Sequence, residues 1–147
     1  MNFEIVTLAE KTIVGVSART SNNDPKMGEI IGGLWQTFYR SGISNSIRNR
    51  INEYAIGLYS DYEGDSYQVT VGHEVSEAAN ADNEINKIPA GNYAVFSVEG
   101  DMVKAVADAW QEIWNMDLER SYTGDFEEYL NNDMENARVR IYIALKE

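Results

Sequence analysis

Two short stretches decide the fold, and each holds the same place in its own half of the chain. Gly57-Leu58-Tyr59 follows an aromatic helical pattern and precedes the alternating stretch YQVTV at 67–71. Glu127-Glu128-Tyr129 follows a second aromatic helical pattern and precedes RVRIYI at 138–143. In this register Gly57 falls opposite Glu127. The sequence therefore predicts two related halves with a pocket between them and a carboxylate on one wall.

Composition restricts the class of protein. The 147 residues are 44% hydrophobic with only two prolines, which is typical of one globular domain with a sizeable core. The chain has no cysteine, no signal segment and no long apolar stretch, so we expect a cytoplasmic protein. A net charge of −12 disfavours nucleic-acid binding and attracts cationic small molecules to a concave site. Alternatively, the acidity only keeps the protein soluble.

The predicted elements follow one order twice. Apolar residues recur at helical spacing over residues 27–39 and 102–114, and a shorter helical turn covers 43–51. Gly32 and Gly33 interrupt the first helix, either to let it approach a strand or without purpose. The connection between the halves is expected within 77–86. Strands are predicted at 3–8, 11–20, 54–60, 67–75, 92–99, 125–130 and 138–146.

These elements predict an α+β fold. We expect one domain over 1–147, with internal repeats at approximately 1–76 and 85–147. Each repeat is a βαββ unit, and a pseudo-two-fold axis relates the two. The hairpins favour a mainly antiparallel sheet with the helices on one side and a ligand cleft between the halves. Chance similarity of two α+β halves is the alternative.

Glu127 is the main candidate for the site. Strand alternation places Phe126, Glu128 and Leu130 on one face, and Glu127 and Tyr129 on the other. If Phe126 and Leu130 face the helix-packed core, Glu127 faces the opposite, concave side. A cationic ligand would offset the cost of burying this carboxylate. Neighbouring aromatic faces would attract the same cation by about 0.5–2 kcal/mol each. Alternatively, Glu127 is a solvated residue of an edge strand.

Aromatic side chains are the second group of candidates. Tyr59, Tyr93 and Tyr142 fall in predicted strands, where a ring with a hydroxyl suits a wall that is apolar but wettable. Trp110 and Trp114 lie on the apolar stripe of the second helix, where plain core packing is the alternative.

Motifs for catalysis and metal binding are missing from the sequence. One histidine, His73, and no cysteine disfavour Cys/His triads and ordinary zinc sites. No nucleophile elbow, P-loop or dinucleotide fingerprint occurs. The acids of 61–65 fit a solvated hairpin loop better than a calcium loop. We therefore predict no catalytic residue, no metal site and no cofactor.

Five segments, taken in order, resemble one known family. The chain is similar to the GyrI-like effector-binding domains, the drug-sensing modules of some AraC- and MerR-type transcription regulators, which also occur alone and on integron cassettes. The resemblance covers nearly the whole chain. The segments are GLYSDYEGD (57–65), VGHEV (71–75), IPAGNYAVF (88–96), AWQEIW (109–114) and DFEEY (125–129).

The resemblance implies a duplicated βαββ fold with a cleft between the halves. It also implies that Glu127 lies in that cleft and meets cationic, lipophilic compounds. Aromatics of the Gly-Leu-Tyr strand, the Ala-Trp helix and the last strand would line it, which points to Tyr59, Trp110 or Trp114, and Tyr142.

The expected function is that of a stand-alone effector-binding protein. The chain begins directly at the first strand of the domain, so we expect no DNA-binding domain and no direct contact with nucleic acid or membrane. The expected partner is a small amphipathic, cationic molecule. Two alternatives stay open, namely a hydrolase of electrophilic small molecules that uses the cleft glutamate, and a protein that binds gyrase or a regulator.

Overall fold

An antiparallel sheet with helices on one face confirms the α+β prediction. The computed structural model describes residues 2–77 and 84–146. Within these ranges it contains eight strands and three helices. In chain order they are β1 (Glu4–Leu8), β2 (Lys11–Ser21), α1 (Met27–Arg40), α2 (Ile43–Ser46), β3 (Ala55–Glu63), β4 (Ser66–Val75), β5 (Glu84–Ile88), β6 (Gly91–Gly100), α3 (Met102–Trp114), β7 (Asp125–Tyr129) and β8 (Ala137–Ala144).

The strand order is symmetrical about the centre of the sheet. It runs β1-β6-β8-β7-β3-β4-β2-β5, and every described pair is antiparallel. In β2-α1-β3-β4 and in β6-α3-β7-β8 alike, the last strand of the unit lies between the other two. The units meet where β3 pairs with β7, and there Gly57 is the direct partner of Glu127.

The sheet is strongly curled. Leu8 ends β1 and Lys11 begins β2, yet six strand spacings separate these two strands in the sheet. In a flat sheet that separation would be about 29 Å, at about 4.8 Å per strand. Three peptide steps span at most about 11 Å, so the two ends of the sheet must approach each other. The short connection from Ile88 of β5 to Gly91 of β6 imposes the same curl.

The curl gives the sheet two different faces. The outer face carries α1, which packs on β2 and β4, and α3, which packs on β6 and β8. Two apolar clusters lie under these helices, one around Phe38 and one around Ile113. The inner face encloses a third cluster, formed by Ile13, Ile56, Leu58, Ile88, Tyr93, Phe126 and Ala144. Its members come from the middle and from both ends of the sheet, as the curl requires.

The prediction that Glu127 lies on the face of the sheet opposite the helices was wrong. Glu127 pairs with Ile141, which lies under α3, whereas Phe126 belongs to the inner cluster. Glu127 and Tyr129 therefore lie on the helix-bearing outer face. The assumption failed because this sheet has an apolar cluster on each face, so an apolar residue such as Phe126 does not identify the helix side.

Two local predictions also need correction. Residues 84–86, expected in a connection, belong to edge strand β5, which pairs with β2. The strand before the first hairpin extends to Glu63, with a register shift after Ser60, so the turn is shorter than the predicted loop. Gly32 and Gly33 approach no strand, because no atom beyond their immediate helix neighbours lies within 4 Å of a Cβ built on either residue.

Candidate ligand-binding cleft

A cleft of about 910 Å³ opens on the outer face. Residues of both halves line it, because α1 and the β3–β4 hairpin form one wall and α3 forms the other. A cleft of this size and mixed lining is typical of a small-molecule site. The lining residues are Asn22, Met27, Ile31, Tyr59, Tyr62, Gly64, Asp65, Tyr67, Ala107, Trp110, Gln111, Trp114, Arg120 and Tyr122.

Glu127 lies behind the aromatic lining and is 2% exposed. The hydroxyl of Tyr59 donates to Oε2 at 3.1 Å, and Nε1 of Trp110 donates to the same oxygen at 2.6 Å. The hydroxyl of Tyr129 donates to Oε1 at 2.6 Å. Tyr59 and Trp110 thus bind the carboxylate and line the cleft at the same time, so the charge is presented to the cleft through these two rings.

Glu127 has no cationic partner among the described residues. No lysine or arginine in the described parts of the chain forms an ion pair with it, although seven other pairs occur there. Burial raises the pKa of the Glu127 carboxyl, and the hydrogen bonds from Tyr129, Trp110 and Tyr59 lower it without cancelling that effect. Burial and the same carboxylate raise the pKa of Tyr59 and of Tyr129 well above the ordinary value, so both phenols stay neutral donors.

Asp125, two residues earlier on the same face, shows the opposite arrangement. It is fully buried, and Nη2 of Arg120 donates to it at 2.7 Å. The hydroxyl of Tyr62 and the backbone N–H of Ala144 donate to it at 2.6 Å and 2.8 Å. One buried carboxylate beneath the cleft therefore has a cation and the other, Glu127, has none.

Tyr59 packs edge to face against two other rings of the cleft. Tyr59 lies 5.5 Å from Trp110 and 5.7 Å from Tyr67, measured between ring centroids. Trp110 lies 6.3 Å from Trp114, whose side chain is half exposed at the rim of the cleft. Faces of these rings that point into the cleft offer the negative side of the aromatic quadrupole to a cation.

The structure brings four of the six predicted site residues together. Glu127, Tyr59, Trp110 and Trp114 are contiguous at the cleft. Tyr93 and Tyr142 lie on the inner face, where Tyr142 stacks on Phe126 at 4.3 Å and Tyr93 donates to the carbonyl of Pro89 at 2.6 Å. These two tyrosines do not reach the cleft, because strands β6 and β8 turn them to the other side of the sheet.

Sequence reasoning missed several residues of the site. Tyr129 holds the second oxygen of Glu127, and its place two residues after Glu127 was a usable signal. Met27 and Ile31 of α1 and the tyrosines Tyr62 and Tyr67 also line the cleft. Only the packing of α1 against the hairpin brings these residues to the site, and no local pattern indicates it.

Other chemical features lie away from the cleft. His73 is buried, with its ring nitrogens bonded to the Ser44 hydroxyl and the Tyr54 carbonyl. Within residues 2–77 and 84–146, no helix is long and apolar enough to cross a membrane. The same ranges hold no group of three or more histidine, cysteine, aspartate or glutamate residues suited to a metal ion.

Sequence comparison identifies the family. Residues 1–146 match the family described as the GyrI-like small molecule binding domain, and the chain belongs to this family. It is 34% identical to YobU of Bacillus subtilis (strain 168), a protein named as a candidate transcriptional regulator, and the match covers 99% of each chain. The family resemblance in the sequence is thereby confirmed.

Solved structures confirm the fold. The protein SAV2435 bound to tetraphenylphosphonium superposes with a TM-score of 0.85 at 20% identity, over 99% of this chain and 94% of that one. A Vibrio cholerae integron cassette protein superposes with a TM-score of 0.77 at 28% identity, over 98% and 95% of the two chains.

Proposed function

We propose that this GyrI-like small molecule binding domain takes up an amphipathic organic cation in the outer cleft, with Glu127 as the countercharge. One observation carries the proposal, namely that Glu127 is buried beneath the cleft without a cationic partner in the described residues. A buried charge without a partner is costly, and a bound cation would remove that cost.

The rings would supply the apolar contact. Tyr59 and Trp110 stand between Glu127 and the cleft, and Trp114 extends the aromatic surface to the rim. A lipophilic cation would contact the faces of these rings. Because Tyr59 and Trp110 donate hydrogen bonds to the Glu127 carboxylate, each face attracts positive charge more strongly. That SAV2435 was crystallised with tetraphenylphosphonium makes this cation a suitable probe.

The geometry favours binding over hydrolysis. A general base must lie within hydrogen-bonding reach of the water that it activates. Glu127 is 2% exposed and already accepts three hydrogen bonds, so its oxygens have no free contact with water in the cleft. The cytoplasmic location and a protein partner stay predictions of the sequence.

Titration of tryptophan fluorescence with tetraphenylphosphonium tests the proposal, since two tryptophans line the cleft. Glu127→Gln keeps the size of the side chain, and its amide can still accept from Trp110 and donate to Tyr129. We expect the affinity to fall by tenfold or more. Glu128→Gln is the matched control, because Glu128 is the next residue and faces the inner side. Equal affinities in the wild type and both variants, or no binding to the wild type, would reject the proposal.

A further inference from the structure

A second cavity, of about 650 Å³, lies on the inner face between β1, β6 and β8. It shares no lining residue with the outer cleft, and the sheet separates the two. The cavity is therefore independent of Glu127. It is lined by Asn2, Phe3, Glu4, Val6, Leu8, Val95, Ser97, Arg140 and Tyr142.

The strand register shows that the lining is polar at one end of the cavity and apolar at the other. Ser97 pairs directly with Arg140, so their side chains stand next to each other at one end. Val6 pairs with Tyr93, four residues from Ser97 along β6, and packs on the inner apolar cluster. Four residues of antiparallel strand span about 14 Å. The cavity thus joins a polar end to an apolar end over the length of a medium-chain amphiphile.

Arg140 is the basic group of this lining. Its side chain is 46% exposed, and its ion pair with Glu128 is long, at 3.6 Å between Nη1 and Oε1. The Glu128 carboxyl lies beneath it at 11% exposure and also accepts from the Tyr142 hydroxyl at 3.3 Å. A guanidinium has five donors in a planar fork, which leaves donors of Arg140 for a second carboxylate.

Ser97 adds a neutral donor to the same end. It is exposed, and its hydroxyl makes no hydrogen bond to any described residue. A hydroxyl beside a guanidinium is an arrangement that can hold both oxygens of a carboxylate.

The other charges near the cavity are one ion pair and two exposed acids, Glu4 and Glu99. Lys11 binds Glu74 on the same face, with Nζ 3.2 Å from Oε1. Glu4 is exposed and pairs with Val95 on β6, whose partner on β8 is two residues from Arg140. Sheet geometry places the Cα atoms of Glu4 and Arg140 about 12 Å apart. Glu99 is exposed on the same face, two residues after Ser97 on β6. Among the lining residues, Arg140 is the group that can pair with an anion.

We propose that the inner cavity is a second small-molecule site, which takes amphipathic monocarboxylates. The carboxylate binds Arg140 and Ser97, and the apolar body lies along Val95 and Val6 towards Leu8. The two faces of one sheet then bind ligands of opposite charge.

Isothermal titration with decanoate tests this site. Arg140→Gln combined with Glu128→Gln removes the guanidinium and its partner together, so no buried charge is left unpaired. We expect at least a tenfold loss of affinity. Ser97→Asp, an exposed change that sets a carboxylate beside Arg140, is expected to cause a similar loss without affecting the core. Arg138→Gln, two residues away on the same strand and outside the lining, is the matched control and is expected to bind as the wild type does.

Three further outcomes separate this site from the outer cleft. Decanoate affinity is expected to be unchanged by Glu127→Gln and by saturating tetraphenylphosphonium, and decanol is expected to bind much more weakly than decanoate. Absence of decanoate binding to the wild type, equal affinity in the wild type and in the Arg140 and Ser97 variants, or displacement by tetraphenylphosphonium would overturn the proposal.

Discussion

Gly57 and Glu127 are direct partners across the β3–β7 pair at the centre of the sheet, and the glycine makes room for the acid. A Cβ built on Gly57 would lie 3.1 Å from Oε1 of Glu127 and 3.4 Å from Cζ2 of Trp35. The asymmetry between the two halves is therefore steric as well as electrostatic. One half provides the carboxylate, and the other provides the space in which it lies.

Gly57→Ala tests this steric relationship. The added methyl group must displace either the carboxylate, which Tyr129 holds at 2.6 Å, or the Trp35 ring. Overpacking of this kind costs roughly 1–3 kcal/mol. We expect a loss of about that size in the free energy of unfolding measured with urea, together with weaker binding of tetraphenylphosphonium. A variant with unchanged stability and affinity would show that the contact is not constrained.

Gly32→Ala is expected to have the opposite effect on stability. Gly32 lies within α1, and no atom beyond its immediate helix neighbours is within 4 Å of its added Cβ. Alanine is favoured over glycine in a helix interior by about 1 kcal/mol, so urea denaturation should show a gain approaching that value. Gly33→Ala serves as a second test at an equally open position. Destabilisation by either change would mean that α1 packs differently from the structure described.

Much of the site was predictable, because its signals are local. Alternation along residues 125–129 placed Glu127 and Tyr129 on one face, and the helical stripe of α3 identified Trp110 and Trp114. The repeat identified Gly57 and Glu127 as equivalent positions of the two halves, and the structure pairs these two residues across β3 and β7. The strand and helix inferences depend on a period of two or 3.6 residues within one segment, and the repeat depends on a comparison of two segments.

The features that could not be predicted from the sequence depend on how distant strands pair. Tyr142 and Tyr93 are on the inner face because of how β8 pairs with β7 and β6, which no single strand indicates. The curl follows from the positions of β2 and β5 in the sheet. It creates an apolar inner face, whose residues have the same apolar character in the sequence as the residues under the helices. Strand β5 carries few apolar residues because it is an exposed edge, so its pattern resembles a connection.

Asp125→Asn is expected to destabilise the fold strongly. The change removes the charge that pairs with Arg120 at 2.7 Å and leaves a largely buried guanidinium without its anion. Breaking a buried ion pair in this way costs about 3–5 kcal/mol. Urea denaturation measures the loss. Tyr62→Phe, which removes only one neutral donor to Asp125, is the control and should cost about 1 kcal/mol.

Protonation of Glu127 makes stability depend on pH in a defined direction. Its folded pKa is raised above the unfolded value, so the folded chain holds the proton more tightly. The resulting stabilisation is complete below the unfolded pKa of about 4.3 and is lost as the pH rises through the folded pKa. We therefore expect the wild type to lose stability relative to Glu127→Gln as the pH rises above about 4.3. Urea denaturation of both proteins across this range measures the difference, and a difference independent of pH would contradict the raised pKa.

Recognition of positive charge by Glu127 can be measured with two ligands of the same shape. Methyltriphenylphosphonium and neutral triphenylphosphine oxide carry the same three phenyl rings and differ mainly in charge. We expect the wild type to prefer the cation by at least tenfold, equivalent to about 1.4 kcal/mol. Glu127→Gln is expected to lose most of this preference and to keep only the part that the aromatic faces supply. A preference for the cation that survives unchanged in Glu127→Gln would show that Glu127 does not supply the countercharge.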